Sequence, residues 1–439
     1  MADARRAALT VLEKCRRAGA WSDAALGSVM DQAGLTGPDR ALCAALCYGV
    51  QQNRTWLDYA IAQVSSLPLN RVEPKVLDLL RLSLYQLMFL RRVPAYAAVS
   101  QGVELCRVLG YARAAGYVNA VLRRLSALER LPEPEGGLAE RLTVTASHPR
   151  WLVDLLLTRL GAAEAEEFLR LDNAVPPVKL QTNTLKITTA ALAERLAAEG
   201  VDTVPEGSVP DCLLAREPGD LRSTAAFREG LVYVQDSAAK CAVLAADPRA
   251  GERVLDVCAA PGGKSFAAAI AAGGQAEVTA CDLHENKLKR VREGAARLGL
   301  TLRETLAADG RVNRPEWNGR FDLVMVDAPC SGLGVIAKKP DIRWKDPADF
   351  AGLPAVQSAI LANAARYVRP GGRLLYATCT VRREENEAVA EGFLAAHPEF
   401  SPRDFTTPFG AESAGGMLQL WPQRHGTDGF FIAEMRRDT

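Results

Sequence analysis

The 439-residue sequence contains no apolar run that approaches the roughly 18 residues needed to span a membrane, so we expect no transmembrane segment. The opening residues, MADARRAALT, are charged and lack an apolar core, so we do not expect a secretory signal there. No internal repeat of solenoid length is present. Together these absences predict a cytoplasmic protein, in which thiols stay reduced.

Metal-binding patterns are also missing from the sequence. None of the ten cysteines forms a C-x-x-C pair, and the four histidines are scattered along the chain. Cys43 and Cys47 lie one helical turn apart, but no second ligand pair accompanies them, so core packing explains their spacing. We predict neither a metal site nor a disulfide framework, and we interpret the cysteines as buried residues or reactive thiols.

The charge is unevenly distributed along the chain, although the net charge is only +1. Residues 1–130 contain 17 Lys and Arg against 10 Asp and Glu. This surplus suits a polyanion such as RNA, and it fits a solvated helical surface equally well. In the same segment apolar residues recur at spacings of three and four, which predicts an all-helical domain.

The residue pattern changes along the rest of the chain and predicts two further domains. Residues 131–139 are rich in Pro, Gly and Glu, which is typical of a linker. Residues 140–235 combine helical patterns with strand patterns, which predicts a small α+β domain. Residues 236–439 alternate apolar strands with helices, which predicts an α/β domain with a parallel, doubly wound, Rossmann-like sheet. We expect the multidomain chain to be a monomer.

A loop of small residues joins the first predicted strand of the α/β domain to a helix. The loop consists of Cys258, Ala259, Ala260, Pro261, Gly262, Gly263 and Lys264. Its glycines allow the backbone to approach a ligand closely, and the new helix offers free N–H donors. A phosphate-binding P-loop would need glycine in place of Cys258, and the G-x-G-x-x-G dinucleotide fingerprint is missing. These mismatches favour a nucleoside cofactor without a pyrophosphate, such as S-adenosylmethionine.

Acidic residues follow at the ends of the next two predicted strands. Asp282 lies 19 residues after Gly263, a spacing that suits a carboxylate accepting hydrogen bonds from ribose hydroxyls. Asp309 follows the next strand, near the expected position of an adenine edge. Each acid alone is more typical of a helix cap or a surface group, but the two together strengthen the prediction of a nucleoside site.

Two cysteines follow two further predicted strands. Asp327 and Cys330 follow the apolar residues of VMVDAPCSGLG, and Cys379 follows those of LLYATCT. If these strands are neighbours, both thiols share one crevice with the cofactor loop. A thiolate that adds to carbon 6 of a pyrimidine makes carbon 5 able to accept a methyl group, and a second thiol or a carboxylate can assist the proton transfers. The base must then be unpaired or flipped out.

The motifs CAAPGGK, DAPCSGLG and ATCT together resemble those of the RNA cytosine-5 methyltransferases, the Sun/Fmu/NOL family. The resemblance implies that Cys379 is the nucleophile and that Cys330 helps to release the product. It also implies that Cys258–Lys264 line the methionine end of S-adenosylmethionine, that Asp282 and Asp309 bind its ribose and adenine, and that Asp327 lies between cofactor and base. DNA cytosine-5 enzymes use the cysteine of the PC motif as nucleophile, so the assignment of the two roles stays open.

The N-terminal motifs DRALCAALCYGVQQNRTWLD, RVPAYAAVSQGVEL and GYVNAVLRR resemble NusB-like RNA-binding domains. A NusB-like domain joined to these methyltransferase motifs resembles the bacterial members of the family that methylate a cytosine of 16S ribosomal RNA. The resemblance implies that 16S ribosomal RNA is the partner. Where the family commonly has R-x-N, this chain has Gln181–Asn183, which puts an RNA contact there in question. Two alternatives stay open: a non-catalytic NusB-like RNA-binding or antitermination factor, and a nicotinamide-dependent oxidoreductase.

Overall fold

The structure is a computed structural model that describes residues 4–18, 22–90, 93–128, 130–216 and 218–439. The described chain forms two compact units. The first unit contains the chain up to Ala174 together with Ile336–Lys345, and the second contains Val175–Val335 and Asp346–Thr439. The predicted domain boundaries at residues 130, 139 and 235 stay predictions. Arg92, the first residue of the second NusB-like motif, lies outside the described residues.

The described part of the first unit is helical, as the apolar spacing of its sequence predicts. Its ten α-helices are α1 (Ala4–Ala18), α2 (Ser22–Gln32), α3 (Gly37–Gln52), α4 (Arg54–Val64), α5 (Pro74–Phe89), α6 (Ala95–Val108), α7 (Ala115–Ala127), α8 (Leu138–Thr145), α9 (Arg150–Leu160) and α10 (Ala162–Asp172). Helices α1–α7 bury their apolar faces in one core, in which Leu46, Leu57 and Leu80 are fully buried. No helix of the described residues is long and apolar enough to cross a membrane.

The segment Ile336–Lys345 belongs to the first unit although it lies between strands of the second in sequence. It forms a short 3-10 helix, Pro340–Trp344, whose Arg343 side chain is fully buried. Burial lowers the pKa of Arg343 to about 10, against the opposing attraction of Asp172. The guanidinium donates to the carbonyl oxygens of Gln52, Ser147 and Asp172 and to Oδ1 of Asn173, with N···O distances of 3.1, 3.2, 3.2 and 2.8 Å.

The second unit begins with a four-stranded antiparallel sheet. Its elements are β1 (Val178–Thr182), α11 (Thr189–Ala198), β2 (Thr203–Pro205), β3 (Cys212–Ala215), α12 (Ala225–Arg228) and β4 (Val232–Val234). The strand order is β2-β3-β1-β4. Leu180, Leu192 and Leu213 are buried where α11 covers the sheet. The predicted combination of helices and strands in this part of the chain is confirmed.

An eight-stranded, mostly parallel sheet forms the rest of the second unit. Its elements are α13 (Ser237–Ala246), β5 (Arg253–Asp256), α14 (Gly263–Ala271), β6 (Glu277–Asp282), α15 (Glu285–Leu298), β7 (Glu304–Ala307), β8 (Phe321–Asp327), α16 (Leu353–Ala365), β9 (Val368–Thr378), α17 (Glu387–Ala396), β10 (Phe400–Pro402), β11 (Met417–Leu420), α18 (Pro422–His425) and β12 (Phe430–Arg437). The strand order is β10-β12-β9-β8-β5-β6-β7, and β11 also pairs with β12.

The chain reverses direction across this sheet between β5 and β8. Strands β5, β6 and β7 follow one another on one side, whereas β8 and β9 lie on the other, and all five are parallel. Strand β12 pairs antiparallel with β9. Ligands of doubly wound sheets bind at the carboxyl ends of the strands beside such a reversal. The fold therefore predicts a ligand site at the residues that follow β5 and β8.

Candidate active site

The two cysteines singled out in the sequence come together at neighbouring strand ends. Strands β8 and β9 are parallel neighbours, with Asp327 opposite Ala377. Cys330 follows the end of β8 and Cys379 follows the end of β9, and their sulfur atoms lie 3.4 Å apart. Both cysteines are half-buried and free of disulfide bonds. The two thiols therefore share one crevice, as expected from their positions after the strands.

The loops that carry the thiols are held against each other by direct hydrogen bonds. The Gly334 amide donates to the Cys379 carbonyl oxygen at 3.0 Å. The hydroxyls of Ser331 and Thr380 lie 2.7 Å apart. A Cβ atom at Gly334 would overlap the carbonyl oxygen of Gly429, so glycine is needed where the Cys330 loop packs against the residue before β12. The hydrogen bonds at Gly334 and Ser331 hold the two thiol-bearing loops together.

A buried carboxylate, Glu385, forms a further bridge between the loops. Its Oε2 accepts hydrogen bonds from the Ser331 amide at 2.8 Å and from Gln357 Nε2 at 3.0 Å, and its Oε1 accepts one from Arg382 at 3.3 Å. Gln357 Nε2 also donates to the carbonyl oxygen of Pro329 at 2.9 Å. A buried carboxylate with three such donors orders the groups around it. Glu385 therefore fixes the backbone on both sides of Cys330.

Asn386 plays the corresponding part on the Cys379 side. Its side-chain oxygen accepts from the Thr378 hydroxyl at 2.5 Å, and its amide donates to the Thr380 carbonyl at 3.0 Å. Sequence reasoning missed Glu385 and Asn386, which lie in the charged run RREENE. Such a charged run is typical of a solvent-exposed surface. The only sequence feature that links it to the site is its position just after the ATCT motif.

Cys330 holds its proton more tightly than an ordinary cysteine does. The pKa of Cys330 is raised well above its ordinary value, mainly by the hydrogen bond with Cys379 and then by burial. The carboxylates of Glu385 and Asp327 shift this pKa in the same direction. Cys330 therefore keeps its proton and can donate its S–H to the sulfur of Cys379.

An ion pair connects the cofactor loop to the end of β8. Lys264 Nζ lies 2.6 Å from Asp327 Oδ2 and 5.1 Å from the ring centroid of Phe430. Burial alone would lower the pKa of Lys264, but the attraction of Asp327 outweighs it and raises the pKa above its ordinary value. Cys379 shifts the pKa of Lys264 in the same direction. The loop, Asp327 and the thiol pair thus belong to one cleft.

The cofactor loop itself has a backbone that only glycine adopts easily. Gly262 has φ of +114°, and a Cβ atom there would overlap the ring of Phe266. Helix α14 begins at the next residue, so its first amides face the loop. Burial raises the pKa of the Cys258 thiol at the start of the loop. These features fit close approach of a ligand to the loop backbone.

Carboxylates stand at the ends of three consecutive strands beside this loop. Asp256 is fully buried at the end of β5, and its Oδ2 accepts from the Ser265 hydroxyl at 2.7 Å. Asp256 Oδ1 has no hydrogen-bond partner within the described chain. Asp282, at the end of β6, accepts from the Ala260 amide at 3.3 Å and from the His284 amide at 3.1 Å.

Asp309 differs from these buried acids because a basic neighbour already binds it. Arg311 Nη2 lies 2.6 Å from Asp309 Oδ2, and hydrogen bonds from Arg311 lower the pKa of Asp309 to about 2. Asp309 follows β7, which pairs with β6, so it lies at the same edge of the sheet as Asp282. An adenine amino group would have to share this carboxylate with Arg311.

Gln181, which replaces the arginine common in the family, is not exposed. Its side chain is fully buried in β1, and its Nε2 donates to the Gln235 carbonyl at 2.9 Å. The same nitrogen lies 3.2 Å from the Cys212 sulfur. Within the second unit this position therefore serves packing and has no free donor for an RNA phosphate.

Comparison with known proteins assigns the three parts of the chain. The profile of the 16S rRNA methyltransferase RsmB/F matches residues 243–436, that of the NusB family matches 2–127, and that of the RsmF/B-like ferredoxin-like domain matches 148–222. The chain is 37% identical to the probable ribosomal RNA small subunit methyltransferase B of Bacillus subtilis, over 98% of each chain. The chain belongs to the ribosomal RNA small subunit methyltransferase B family. The Vibrio cholerae member is 35% identical, over 91% of this chain and 90% of its own.

Solved structures share the fold of this methyltransferase B family member. The crystal structure of PH0851 superposes with a TM-score of 0.83 at 27% identity, covering 100% of this chain and 99% of its own. A methyltransferase homolog protein from Pyrococcus horikoshii gives a TM-score of 0.57 at 27% identity, covering 69% of this chain and all of its own. The predicted fold class is confirmed: a NusB-like helical domain, a small α+β domain and a Rossmann-like methyltransferase domain.

Proposed function

We propose that this protein transfers a methyl group from S-adenosylmethionine to carbon 5 of a cytosine in 16S ribosomal RNA. The observation that carries the proposal is the 3.4 Å approach of the Cys330 and Cys379 sulfurs beside the cofactor loop. The names of the relatives support small-subunit ribosomal RNA as the substrate. The thiol pair supports carbon 5 as the target, because that carbon becomes nucleophilic only after a thiolate has added to carbon 6.

The strand ends fit S-adenosylmethionine. Cys258–Lys264 would border its methionine end, where Gly262, with φ of +114°, turns the backbone into the first amides of α14. Asp282 would accept hydrogen bonds from the ribose hydroxyls, and Asp309 would face the adenine. Asp327 would lie between cofactor and base. The cofactor supplies an electrophilic methyl group bound to a positively charged sulfur.

Cys379 is the nucleophile in the proposed reaction. Its thiolate adds to carbon 6 of the extruded cytosine, a C6–S bond forms, and the electron pair of the C5=C6 double bond moves to carbon 5, which then accepts the methyl group. Cys330 stabilises the Cys379 thiolate because its own raised pKa keeps an S–H available as a hydrogen-bond donor. Lys264 adds a positive charge within range of the same sulfur.

Release of the product needs two further bond changes. The proton on carbon 5 leaves to a base, and the electron pair of that C–H bond restores the C5=C6 double bond. The C6–S bond breaks at the same time, and its electron pair returns to the sulfur of Cys379 as a thiolate. Cys330 assists this departure by donating its S–H to that sulfur, and the carboxylate of Asp327 is a group of the cleft that can take the proton from carbon 5.

The roles of the two thiols can be tested by substitution. Cys379→Ala should abolish formation of 5-methylcytosine in 16S ribosomal RNA, measured by bisulfite sequencing. Cys330→Ala should accumulate a covalent protein–RNA adduct that migrates slowly on a denaturing gel. Cys15→Ala, which removes a half-buried cysteine of the first unit, should leave both measurements unchanged. If Cys379→Ala traps the adduct instead, the two roles are reversed.

Cofactor binding separates this enzyme from a NusB-like RNA-binding or antitermination factor without activity. Calorimetry with S-adenosylmethionine should give saturable heat for the wild-type chain and much weaker binding for Asp282→Asn. The absence of any binding heat would favour the non-catalytic alternative. A monomeric state and a cytoplasmic location stay predictions.

A further inference from the structure

A groove of 730 Å³ runs between helices α6 and α7 of the first unit. Its walls include Tyr96, Val103, Glu104 and Arg107 of α6, and Asn119 and Arg123 of α7. The ring of Tyr96 lies at the N-terminal end of α6 and Arg107 lies three turns further along the same face, about 16 Å away along the axis at 1.5 Å per residue. The groove is thus long enough for an oligomeric ligand.

Four side chains of this groove, those of Tyr96, Glu104, Arg107 and Arg123, are exposed. Tyr96 is 79% exposed, and among the large hydrophobic side chains of the described residues only Val175 is more exposed. Within the described chain, the side chains of Arg107 and Arg123 donate no hydrogen bond and pair with no carboxylate. By contrast, Arg81 of the same unit is buried and bound to Asp58 and Asp78. The two groove arginines therefore do not serve internal stability.

We infer that this groove binds a single-stranded segment of the RNA substrate. An exposed aromatic ring in a groove that also carries arginines can stack an unpaired base, while the arginines neutralise phosphates along the same strand. Asn119 and Glu104 can hydrogen-bond to base edges, and the single carboxylate leaves the groove net positive. A duplex does not offer a free base face to Tyr96, so the ligand is single-stranded. The inference rests on the proposed function in taking ribosomal RNA as the substrate.

Direct binding measurements on the full chain test the groove independently of methyl transfer. The probe is a fluorescein-labelled single-stranded RNA of about 12 nucleotides, and anisotropy gives its dissociation constant. Tyr96→Ala should weaken binding about tenfold through lost stacking, whereas Tyr96→Phe should bind like the wild type. A hairpin of the same length, whose bases are paired, should show no effect of Tyr96→Ala.

The arginines are tested through the salt dependence of binding. Arg107→Gln combined with Arg123→Gln should reduce the slope of log K against log salt by about 1.4, because each single-strand phosphate contact contributes about 0.7. The control, Arg6→Gln combined with Arg71→Gln, removes two exposed arginines of the same unit outside the groove and should leave the slope unchanged. Circular dichroism verifies that each variant folds.

Two results would overturn the inference. One is wild-type affinity and salt slope in the groove variants; the other is a 4-thiouridine crosslink from the single-stranded probe that maps away from α6 and α7. If the groove variants bind RNA as tightly as the wild type, the groove does not bind RNA, and a protein segment becomes the alternative ligand. Neither result bears on the proposed function, which fails only if the wild-type chain forms no 5-methylcytosine in 16S ribosomal RNA.

Discussion

The sulfur of Cys330 lies 3.4 Å from the sulfur of Cys379, although the two residues belong to different loops. Parallel pairing of β8 with β9 brings the loops side by side, and the Gly334 amide donates a hydrogen bond across them to the Cys379 carbonyl oxygen. This short distance makes the pair sensitive both to oxidation and to changes in the residues that support the loops.

Oxidation should join the two thiols and stop methyl transfer. Diamide takes two electrons and two protons from the pair, and the sulfurs need to approach only to the disulfide length of about 2.05 Å. We expect inactivation that dithiothreitol reverses, with peptide mapping that shows Cys330 linked to Cys379. Cys15→Ala should be inactivated in the same way. Reversible inactivation without that linked peptide would contradict the prediction.

Glu385→Gln should reduce the rate of methyl transfer while leaving binding of S-adenosylmethionine unchanged. The substitution removes the charge that pairs with Arg382 and weakens the bond to the Ser331 amide. Loss of such a buried, charge-assisted hydrogen bond also costs about 1.5–3 kcal/mol of stability. Single-turnover kinetics, calorimetry and thermal unfolding measure the three quantities. Glu412→Gln, which alters an exposed carboxylate of the same unit, should change none of them.

Gly262→Ala should destabilise the second unit and weaken cofactor binding. Alanine at φ of +114° carries backbone strain of about 1–3 kcal/mol, and its methyl group overlaps the ring of Phe266. Gly251→Ala is the matched control, since Gly251 has φ of +78° but no atom within 4 Å of the added Cβ. Urea unfolding and calorimetry with S-adenosylmethionine should show the larger loss for Gly262→Ala. If Gly262→Ala and Gly251→Ala lose equal stability and equal cofactor affinity, backbone strain alone explains the effect and the overlap with Phe266 contributes nothing.

Stability should depend on pH through Asp256. Burial raises its pKa from 3.8 to about 7 in the folded chain, so the folded state holds a proton that the unfolded state releases. The stabilisation is therefore complete below about pH 4 and is lost as the pH rises through about 7, by up to about 4 kcal/mol.

The permanently neutral Asp256→Asn variant isolates this contribution. It should gain stability relative to the wild type between pH 5 and pH 8, because its amide cannot ionise. Urea midpoints at both pH values measure the difference. Asp202→Asn, which alters an exposed carboxylate of the same unit, should show no such gain. A constant difference between Asp256→Asn and the wild type at all pH values would show that Asp256 does not titrate in this range.

The strand ends of the site could be predicted because their chemistry changes abruptly in the sequence. Apolar residues give way to Asp327 and Cys330 after β8 and to Cys379 after β9, and parallel pairing then brings such ends together. The assignments of the site residues to nucleophile, product release and cofactor contacts stay predictions.

The supports of the site could not be predicted, because their role depends on burial. Glu385 and Asn386 lie in a charged run that has no periodicity, and only the folded loops show that both are fully buried. Gln181 is a similar case, since alternation along β1 does not reveal which neighbour receives its amide. The segment Ile336–Lys345 has neither helical spacing nor strand alternation, so its membership of the first unit could not be foreseen.

That membership has a consequence for biosynthesis. The ribosome releases α1–α10 long before it makes Arg343, whose guanidinium binds the carbonyl oxygens of Gln52 and Ser147. Until then those buried oxygens lack their hydrogen-bond donor. We therefore expect that the nascent N-terminal segment does not complete its packing before Arg343 has been synthesised. A fragment that stops at Ala174 should accordingly be more protease-sensitive than the same residues in the finished chain, and adding the 336–345 peptide in trans should restore protection.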